Sequence, residues 1–349
     1  MSRRRNVGIA AAATAVAGAA IAAGVAAERR AVGRARSQPD PYADEPLGKL
    51  HTEGLNVVAS DGVALHVEID GSPDAPLTVV FMHGFTLRMD AFHFQRRDLA
   101  DAARLVFYDQ RSHGASGRSD PDRCTIDQLG KDLDAVLQAV APAGPVVLVG
   151  HSMGGMTILA LADQRPELFG DRVVGVGLLS TSTGQIAKEI VGVPGWVSRL
   201  VNPALPRGAK LVRKRATVIE RGRRVGSDFG FIVTRYLSFG PGVPPSLVAF
   251  MEQMLLDTPV EVMSQFFDTF LSHDKLEALD VLRSVPVLIS CGTRDVLTPL
   301  SHSELMAARL PDAELQVLQD AGHMAKLEQH QEVNAGLRRL FDRAVAAAG

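Results

Sequence analysis

The sequence predicts an α/β protein with a mostly parallel, eight-stranded sheet, helices on both faces and an inserted helical cap. The strand-like runs are apolar throughout, which is typical of parallel strands that are buried on both faces. Helical patterns lie between most of these runs, as they do where helices connect parallel strands. The interval 185–285 has helical character but no convincing strand. Because it is far longer than an ordinary connection, it predicts the cap.

The elements follow one another regularly along the chain. Eight runs rich in β-branched and other apolar residues are the predicted strands, at 55–60, 64–70, 77–83, 104–109, 146–150, 173–180, 286–292 and 314–319. Five helical patterns separate them, at 90–100, 126–140, 153–164, 300–309 and 327–346. The first two strands are short and can pair as a hairpin at the sheet edge. The predicted organisation is an N-terminal segment with a linker, a core in two parts and a cap, at 1–48, 49–181 with 283–349, and 182–282.

Composition excludes several classes of protein. A hydrophobic content of 46% with 22% charged residues is ordinary for a globular chain and argues against disorder. The formal net charge of −2 gives no overall attraction to nucleic acid. Cys124 and Cys291 are too few for a disulfide framework and lack the spacing of a metal site.

The N-terminus carries an uncharged, alanine-rich segment over residues 6–27, with arginines on both sides. It is long enough to span a bilayer as a helix. However, 12 of its residues are Ala and only five are Val or Ile, so its insertion would be marginal. The alternatives are a cleaved signal peptide and a soluble helix. We favour a membrane anchor, which predicts a membrane-associated or exported protein and leaves a cytoplasmic one open. The Pro- and Asp-rich stretch 37–48 is predicted to be a linker.

The motif GHSMGG at 150–155 marks a candidate nucleophile. It has the pattern G-x-S-x-G, and it lies between an apolar strand and a predicted helix. In that context a sharp turn lifts the serine hydroxyl above the strand end, and the glycines keep other side chains away. A structural turn serine is the alternative. The context favours Ser152 as a nucleophile.

A serine nucleophile needs a base, and the base needs an orienting acid. His323 lies in the loop between the last strand and the last helix, so it is predicted at the same sheet edge as Ser152. Asp295 follows the end of another strand, whereas the loop after the sixth strand has no carboxylate. Asp320 is too close to His323 in sequence to reach its far nitrogen. We therefore predict the triad Ser152, His323 and Asp295.

The loop FMHGFT at 81–86 predicts an oxyanion hole. The backbone N–H of Phe85 and that of Met153, the residue after the nucleophile, are the predicted donors. His83 is predicted to hold this loop through hydrogen bonds. In the loop DQRSHGAS at 109–116, Asp109 and Arg111 are predicted to join loops around the site as a paired charge.

Together these motifs resemble those of the α/β-hydrolase fold superfamily, from about residue 53 to the C-terminus. They are HGF at 83–85, DQRSHGAS at 109–116, GHSMGG at 150–155, GTRD at 292–295 and GH at 322–323. The long cap is similar to that of esterases, lipases and epoxide-hydrolase-like members, and the Ala/Arg-rich tail resembles actinobacterial members. Epoxide hydrolases and haloalkane dehalogenases of this fold carry an aspartate nucleophile, so Ser152 argues against both.

The resemblance implies acyl-enzyme chemistry on an ester-like bond, with water as the second substrate and with neither a cofactor nor a metal. Our main hypothesis is a serine hydrolase of a small-molecule or lipid ester, without a nucleic-acid partner and with possible membrane association through residues 6–27. One alternative is a cofactor-free haloperoxidase or perhydrolase with the same triad, and carbon–carbon bond hydrolysis is a further one. A non-catalytic, ligand-binding member of the fold is an alternative of another class.

The cap supplies the clues to the substrate. Met263, Phe266, Phe267 and Phe270 fall on one helix face at i, i+3, i+4 and i+7. They are candidates for a lipophilic pocket, and packing between the cap and the core is a compatible alternative. The stretch 199–224 holds nine Lys or Arg against one acid. We interpret it as a solvated helix face, with contact to anionic lipid headgroups as the alternative.

Overall fold

A computed structural model of the chain describes Gly33 and residues 37–184 and 227–348. An eight-stranded sheet runs through the core in the order β1-β2-β4-β3-β5-β6-β7-β8. The strands are β1 Leu55–Val58, β2 Ala64–Asp70, β3 Thr78–Met82, β4 Arg104–Tyr108, β5 Val146–His151, β6 Val173–Leu179, β7 Val287–Gly292 and β8 Glu314–Leu318. β2 pairs antiparallel with β1 and β4, and every other pair is parallel. The predicted fold class, including the edge hairpin, is confirmed.

Nine α-helices lie in the described ranges. They are α1 His93–Leu99, α2 Ile126–Val140, α3 Met153–Gln164, α4 Ser227–Ser238, α5 Pro245–Asp257, α6 Val260–Ser272, α7 Leu300–Arg309, α8 Ala325–Glu328 and α9 His330–Ala348. Three of the predicted ranges match α2, α3 and α7 to the residue. The helix predicted over 327–346 is instead two helices, because the backbone leaves the helical region at Gln329 (φ −124°, ψ 53°).

Neighbouring residues of the central strands enter different cores, as the two-residue period of a strand requires. Val80 packs in a cluster with residues of α2 and α3. Val79 packs on the opposite face in a cluster with residues of α9. Both faces of the sheet are therefore covered, which explains why the strands are apolar throughout. Because β3 to β8 pair in parallel, their carboxyl ends form one edge.

In the described part of the interval between β6 and β7, which was predicted to form the cap, lie the helices α4, α5 and α6. The two ends of this interval meet: Gly184 pairs with Asp274, and the N–H of Lys275 donates to the carbonyl of Thr183 at 2.7 Å. The chain rejoins the core before residue 283, the boundary that we predicted. A 3₁₀ helix over Glu277–Ser284 already packs Leu279 and Leu282 into the core. The basic stretch 199–224 lies outside the described residues.

The stretch 37–48, predicted to be a linker, packs against the molecule. The ring of Tyr42 lies 5.1 Å from that of Phe94, and its hydroxyl lies 3.1 Å from Nε2 of His330. Asp40 accepts hydrogen bonds from the N–H (2.9 Å) and the hydroxyl (2.7 Å) of Ser246, in the first turn of α5. The composition of this stretch predicted a linker, but Tyr42 and two carboxylates anchor it, since Glu45 also pairs with His93 (2.8 Å) and Arg97 (2.9 Å).

Residues 6–27 lie outside the described part of the chain, so the membrane anchor stays a prediction. Within the described part, no helix is long and apolar enough to cross a membrane.

Candidate active site

Ser152 occupies the turn between β5 and α3, with φ +54° and ψ −118°. This region of backbone space is unfavourable for residues other than glycine, so the turn is strained. Close backbone contacts require glycine at two positions of the motif. A Cβ on Gly154 would lie 2.0 Å from the carbonyl oxygen of Met82, and one on Gly150 would lie 2.4 Å from the backbone of Gly154. The N–H of Ser152 donates to the carbonyl of Leu179 at 3.0 Å, which fixes the turn to β6.

Asp295 and His323 form a buried pair at the same sheet edge. Nδ1 of His323 lies 2.9 Å and 3.1 Å from the two carboxylate oxygens, so Nδ1 carries the proton and Nε2 is free to accept one. Asp295 also accepts the N–H groups of Leu297 and Thr298 and the hydroxyl of Thr298, each at 2.9 Å. Burial opposes its ionisation, but His323 and these donors hold the pKa of Asp295 below its ordinary value.

The loop 319–324, which carries His323 and is called the histidine loop below, is bonded to the turn at Ser152, the nucleophile turn. Nε2 of His151, the residue before Ser152, lies 3.0 Å from the carbonyl oxygen of His323, and the two rings are 4.9 Å apart. Ser152 and His323 line one cavity of about 380 Å³. The structure thus brings the three residues predicted as a triad to a common site.

The loop after β3 packs directly on this turn. A Cβ on Gly84 would lie 3.2 Å from Cβ of Ser152 and 2.9 Å from Nδ1 of His151. The N–H groups of Phe85 and Met153 have no hydrogen-bond acceptor among the residues that the structure describes. Neither N–H is therefore engaged within the described part of the chain, and the predicted oxyanion hole stays a prediction.

Comparison with known proteins agrees with this geometry. A family model described as the alpha/beta hydrolase fold matches residues 78–329. The chain belongs to the α/β-hydrolase fold family. Its fold and its relatives support hydrolase activity.

Several relatives of this α/β hydrolase carry names of enzymes. It is 28% identical over 275 residues to the sn-1-specific diacylglycerol lipase ABHD11 of Mus musculus, covering 76% of this chain and 80% of the lipase. It is also 28% identical over 276 residues to the dihydrolipoyllysine-residue acetyltransferase component of the acetoin cleaving system of Pseudomonas putida. That match covers 76% of this chain but only 63% of the relative. A solved thermophilic esterase from Thermogutta terrifontis has a TM-score of 0.65 and 25% identity, with 84% of this chain and 99% of the esterase covered.

The cavity of the hydrolase is predominantly apolar. Its apolar lining side chains among the described residues come from the loop after β3, from α3, α4, α5 and α6 and from the loop before α7, and are Phe85, Leu87, Met156, Val233, Leu237, Met251, Leu255, Phe267, Phe270, Leu271 and Leu297. Among the described residues that line it, none is Asp, Glu, Lys or Arg. Nor do three His, Cys, Asp or Glu side chains converge in the described ranges as they would around a metal ion.

Only half of the predicted pocket residues reach this cavity. Phe267 and Phe270 line it, but Met263 and Phe266 do not. Phe266 is fully buried in a cluster with Met153, beneath the nucleophile turn. The helical period identified one apolar face of α6 but not what that face packs against. In the structure the face is divided between the core and the cavity. Sequence reasoning missed the contributions of α4 and α5, whose apolar positions carry no distinguishing motif.

His83 holds the loop after β3, in agreement with its predicted role. Its Nε2 accepts the N–H of Gln110 at 2.9 Å, so its Nδ1 carries the proton and donates to the carbonyl of Gly84 at 2.8 Å. The side-chain amide of Gln110 donates to the carbonyl of His83 at 2.6 Å. Burial, together with the nearby His113 and Lys326, keeps the pKa of His83 well below its ordinary value. A neutral, doubly bonded imidazole is suited to supporting the loop.

Asp109 and Arg111 do not pair with each other, which corrects our prediction. Asp109 accepts the N–H groups of Met89 (2.7 Å) and Ala115 (2.8 Å), and burial raises its pKa to about 6 although both donors oppose the rise. The fully buried Arg111 binds two other carboxylates, those of Asp61 (2.8 Å) and Asp132 (2.6 Å). Each residue does join separate segments around the site: Asp109 joins the segment after β3 to its own loop, and Arg111 joins Asp61 to α2.

Lys326 is a buried lysine behind the site. Its side chain is almost inaccessible, with Nζ 3.7 Å from Sδ of Met324 and 5.3 Å from the ring centre of Phe92. No carboxylate of the described residues offsets the burial of Nζ by pairing with it. Burial therefore lowers the pKa of Lys326 well below its ordinary value.

Replacing Lys326 with methionine is expected to stabilise the hydrolase by about 1–3 kcal/mol at pH 7, because a poorly bonded polar group leaves the interior. The lysine ionises in the unfolded chain but resists ionisation when folded. The stability of the wild type therefore falls as the pH decreases from the ordinary pKa of lysine toward the lowered folded value. Urea unfolding should show the advantage of Lys326→Met shrinking from pH 7 to pH 9.5. A less stable variant, or a gain also produced by Lys131→Met at an exposed lysine, would contradict this explanation.

Proposed function

We propose that this protein is a serine hydrolase that cleaves a lipophilic carboxylic ester through an acyl-enzyme. One observation carries the proposal. Ser152, on a strained turn, lines the same apolar cavity as His323, and Nδ1 of His323 is bonded to the buried Asp295. The names of the mouse lipase and the Thermogutta terrifontis esterase support an ester as the substrate.

In the acylation step, Oγ of Ser152 attacks the ester carbonyl carbon while Nε2 of His323 takes the hydroxyl proton. The imidazolium that forms is stabilised by the carboxylate of Asp295. The oxyanion of the tetrahedral intermediate accepts hydrogen bonds from the N–H groups of Phe85 and Met153. When the intermediate collapses, His323 returns its proton to the departing alkoxide. An alcohol leaves, and the acyl group remains on Ser152.

Deacylation repeats these steps with water as the nucleophile. His323 takes a proton from water, and the resulting hydroxide attacks the acyl carbon. The same two N–H groups stabilise the second oxyanion. As the intermediate collapses, His323 protonates Oγ of Ser152. The products are the carboxylic acid and the regenerated serine. Oxygen atoms and protons are therefore balanced without a further reactant.

The lining of the cavity supports a lipophilic substrate. Apolar side chains from α4, α5 and α6 surround the space next to Ser152. Each buried methylene contributes about 0.8 kcal/mol, so kcat/KM should rise about fourfold per methylene until the cavity is filled. A short, polar ester gains nothing from these side chains.

A series of p-nitrophenyl esters from acetate to palmitate tests this proposal. We expect kcat/KM to rise from acetate to a longer chain and then to level off or fall. Phe267→Ala, which removes a lining side chain, should reduce the advantage of the longer chain over acetate. Met263→Ala, on the same helix but outside the cavity, should leave that ratio unchanged. A maximum at acetate would refute the lipophilic preference, and no hydrolysis of any ester would refute the proposed reaction.

A further inference from the structure

The loop that carries His323 is in direct backbone contact with the cap. The N–H of Met324 donates to the carbonyl of Ser238, at the end of α4, at 2.8 Å. A Cβ on Gly240 would lie 1.7 Å from the carbonyl oxygen of Asp320, and one on Gly322 would lie 2.5 Å from the carbonyl carbon of Phe239. At Gly240 and Gly322, the cap loop 239–244, which joins α4 to α5, therefore comes too close to the histidine loop for a side chain on either residue.

The carboxylate of Glu328 binds both loops at once. Oε1 accepts the N–H of Gly322, the residue before His323, at 2.7 Å. Oε2 accepts the N–H of Gly240, in the cap loop, also at 2.7 Å. Bonds to an ionised acceptor are stronger than neutral ones. Burial and the nearby Asp295 raise the pKa of Glu328 to about 7, while the two N–H groups and Arg235 oppose the rise.

The other side of the histidine loop rests on the core. The N–H of Arg294 donates to the carbonyl of Ala321 at 2.9 Å, and the hydroxyl of Thr293 accepts the N–H of Asp320 at 2.9 Å. A Cβ on Gly292 would lie 2.1 Å from the carbonyl oxygen of Ala321. The histidine loop is thus held between the end of β7 and the cap, so a shift of either surface moves the imidazole.

We infer that the cap of this hydrolase, besides lining the cavity, positions the general base, and that Glu328 is the positioning residue that joins cap loop 239–244 to the histidine loop. This inference rests on the proposed function, because a base is needed only if Ser152 is a nucleophile. Glu328 does not line the cavity and acts through His323.

Two pairs of matched variants test this role at pH 8.5, above the raised pKa of Glu328. Gly240→Ala forces the two loops apart, whereas Gly242→Ala in the same loop meets no atom within 4 Å. Glu328→Gln replaces one acceptor oxygen with an amide donor, whereas Glu332→Gln alters an exposed carboxylate on α9. For p-nitrophenyl acetate, we expect Gly240→Ala and Glu328→Gln to lower kcat by about 10- to 100-fold. The KM of these two variants should equal that of the wild type. Both control variants should keep the wild-type kcat and KM.

A second measurement does not depend on turnover. The His323 Nδ1 proton, bonded to Asp295, should give a downfield NMR resonance that is shifted or lost in Gly240→Ala and Glu328→Gln and unchanged in the controls. If the wild type hydrolyses no ester, the proposed function fails, but this resonance still tests the coupling. Circular dichroism checks that Glu328→Gln is folded. If the folded variant keeps the wild-type kcat and the wild-type resonance, the inference is wrong, even if Gly240→Ala does not fold.

Discussion

Replacing Ser152 with alanine is expected to lower kcat for a p-nitrophenyl ester by about a million-fold, to the residual level given by substrate binding and the oxyanion hole. The loss is this large because the acyl-enzyme needs an oxygen at this position. The N–H groups of Phe85 and Met153 and the His323–Asp295 pair stay in place, so binding should survive while turnover does not. The variant also lacks only one atom in a turn that is fixed by backbone bonds.

The rate should be measured at saturating ester, with protein pure enough that a contaminating hydrolase contributes negligibly to the observed rate. Ser301→Ala is a suitable control, because Ser301 is an exposed serine on α7. It should retain the wild-type rate. Removal of a triad nucleophile lowers kcat by far more than tenfold. If Ser152→Ala keeps a tenth or more of wild-type kcat, Ser152 is not the nucleophile.

Asp295→Asn is expected to lower kcat by about ten-thousand-fold. The oxygen of the new amide can still accept the N–H groups of Leu297 and Thr298, so the loop should keep its conformation. Its NH₂ group then faces Nδ1 of His323 and donates to it. This moves the imidazole proton to Nε2, where it blocks acceptance of the Ser152 proton, and it removes the charge that stabilises the imidazolium.

Asp320→Asn is the matched control for this change. Asp320 lies three residues before His323, but its side chain is exposed and contacts Arg294 at 3.2 Å. We expect wild-type activity from it, measured as kcat against pH for both variants. Loss of activity in Asp320→Asn, with little loss in Asp295→Asn, would reverse the assignment of the acid.

The candidate triad could be found in the sequence because each member lies at the end of a strand. Parallel strands bring their carboxyl ends to one edge, so Ser152 after β5, Asp295 after β7 and His323 after β8 converge wherever such a sheet forms. The motifs also fix local backbone geometry, as the strained φ of Ser152 illustrates. Local signals of this kind need no knowledge of distant partners.

Other features depend on partners that the sequence does not identify. Phe266 and Phe267 are adjacent on α6, yet one packs under the nucleophile turn and the other faces the cavity. Arg111 finds its carboxylates at positions 61 and 132 rather than at Asp109. In the stretch 37–48, Tyr42 anchors a segment whose composition indicated a linker. Each of these outcomes is decided by tertiary packing.

The most direct test of the central claim is labelling of the full chain with a fluorophosphonate, followed by mass spectrometry of the intact protein and its peptides. Displacement of fluoride by Oγ of Ser152 should add one phosphonyl group per chain, located on the peptide that contains GHSMGG. Ser152→Ala should remain unlabelled, and Asp295→Asn should react far more slowly than the wild type. The absence of an adduct on folded wild-type protein, or an adduct that persists in Ser152→Ala, would contradict the assignment of Ser152 as an activated nucleophile.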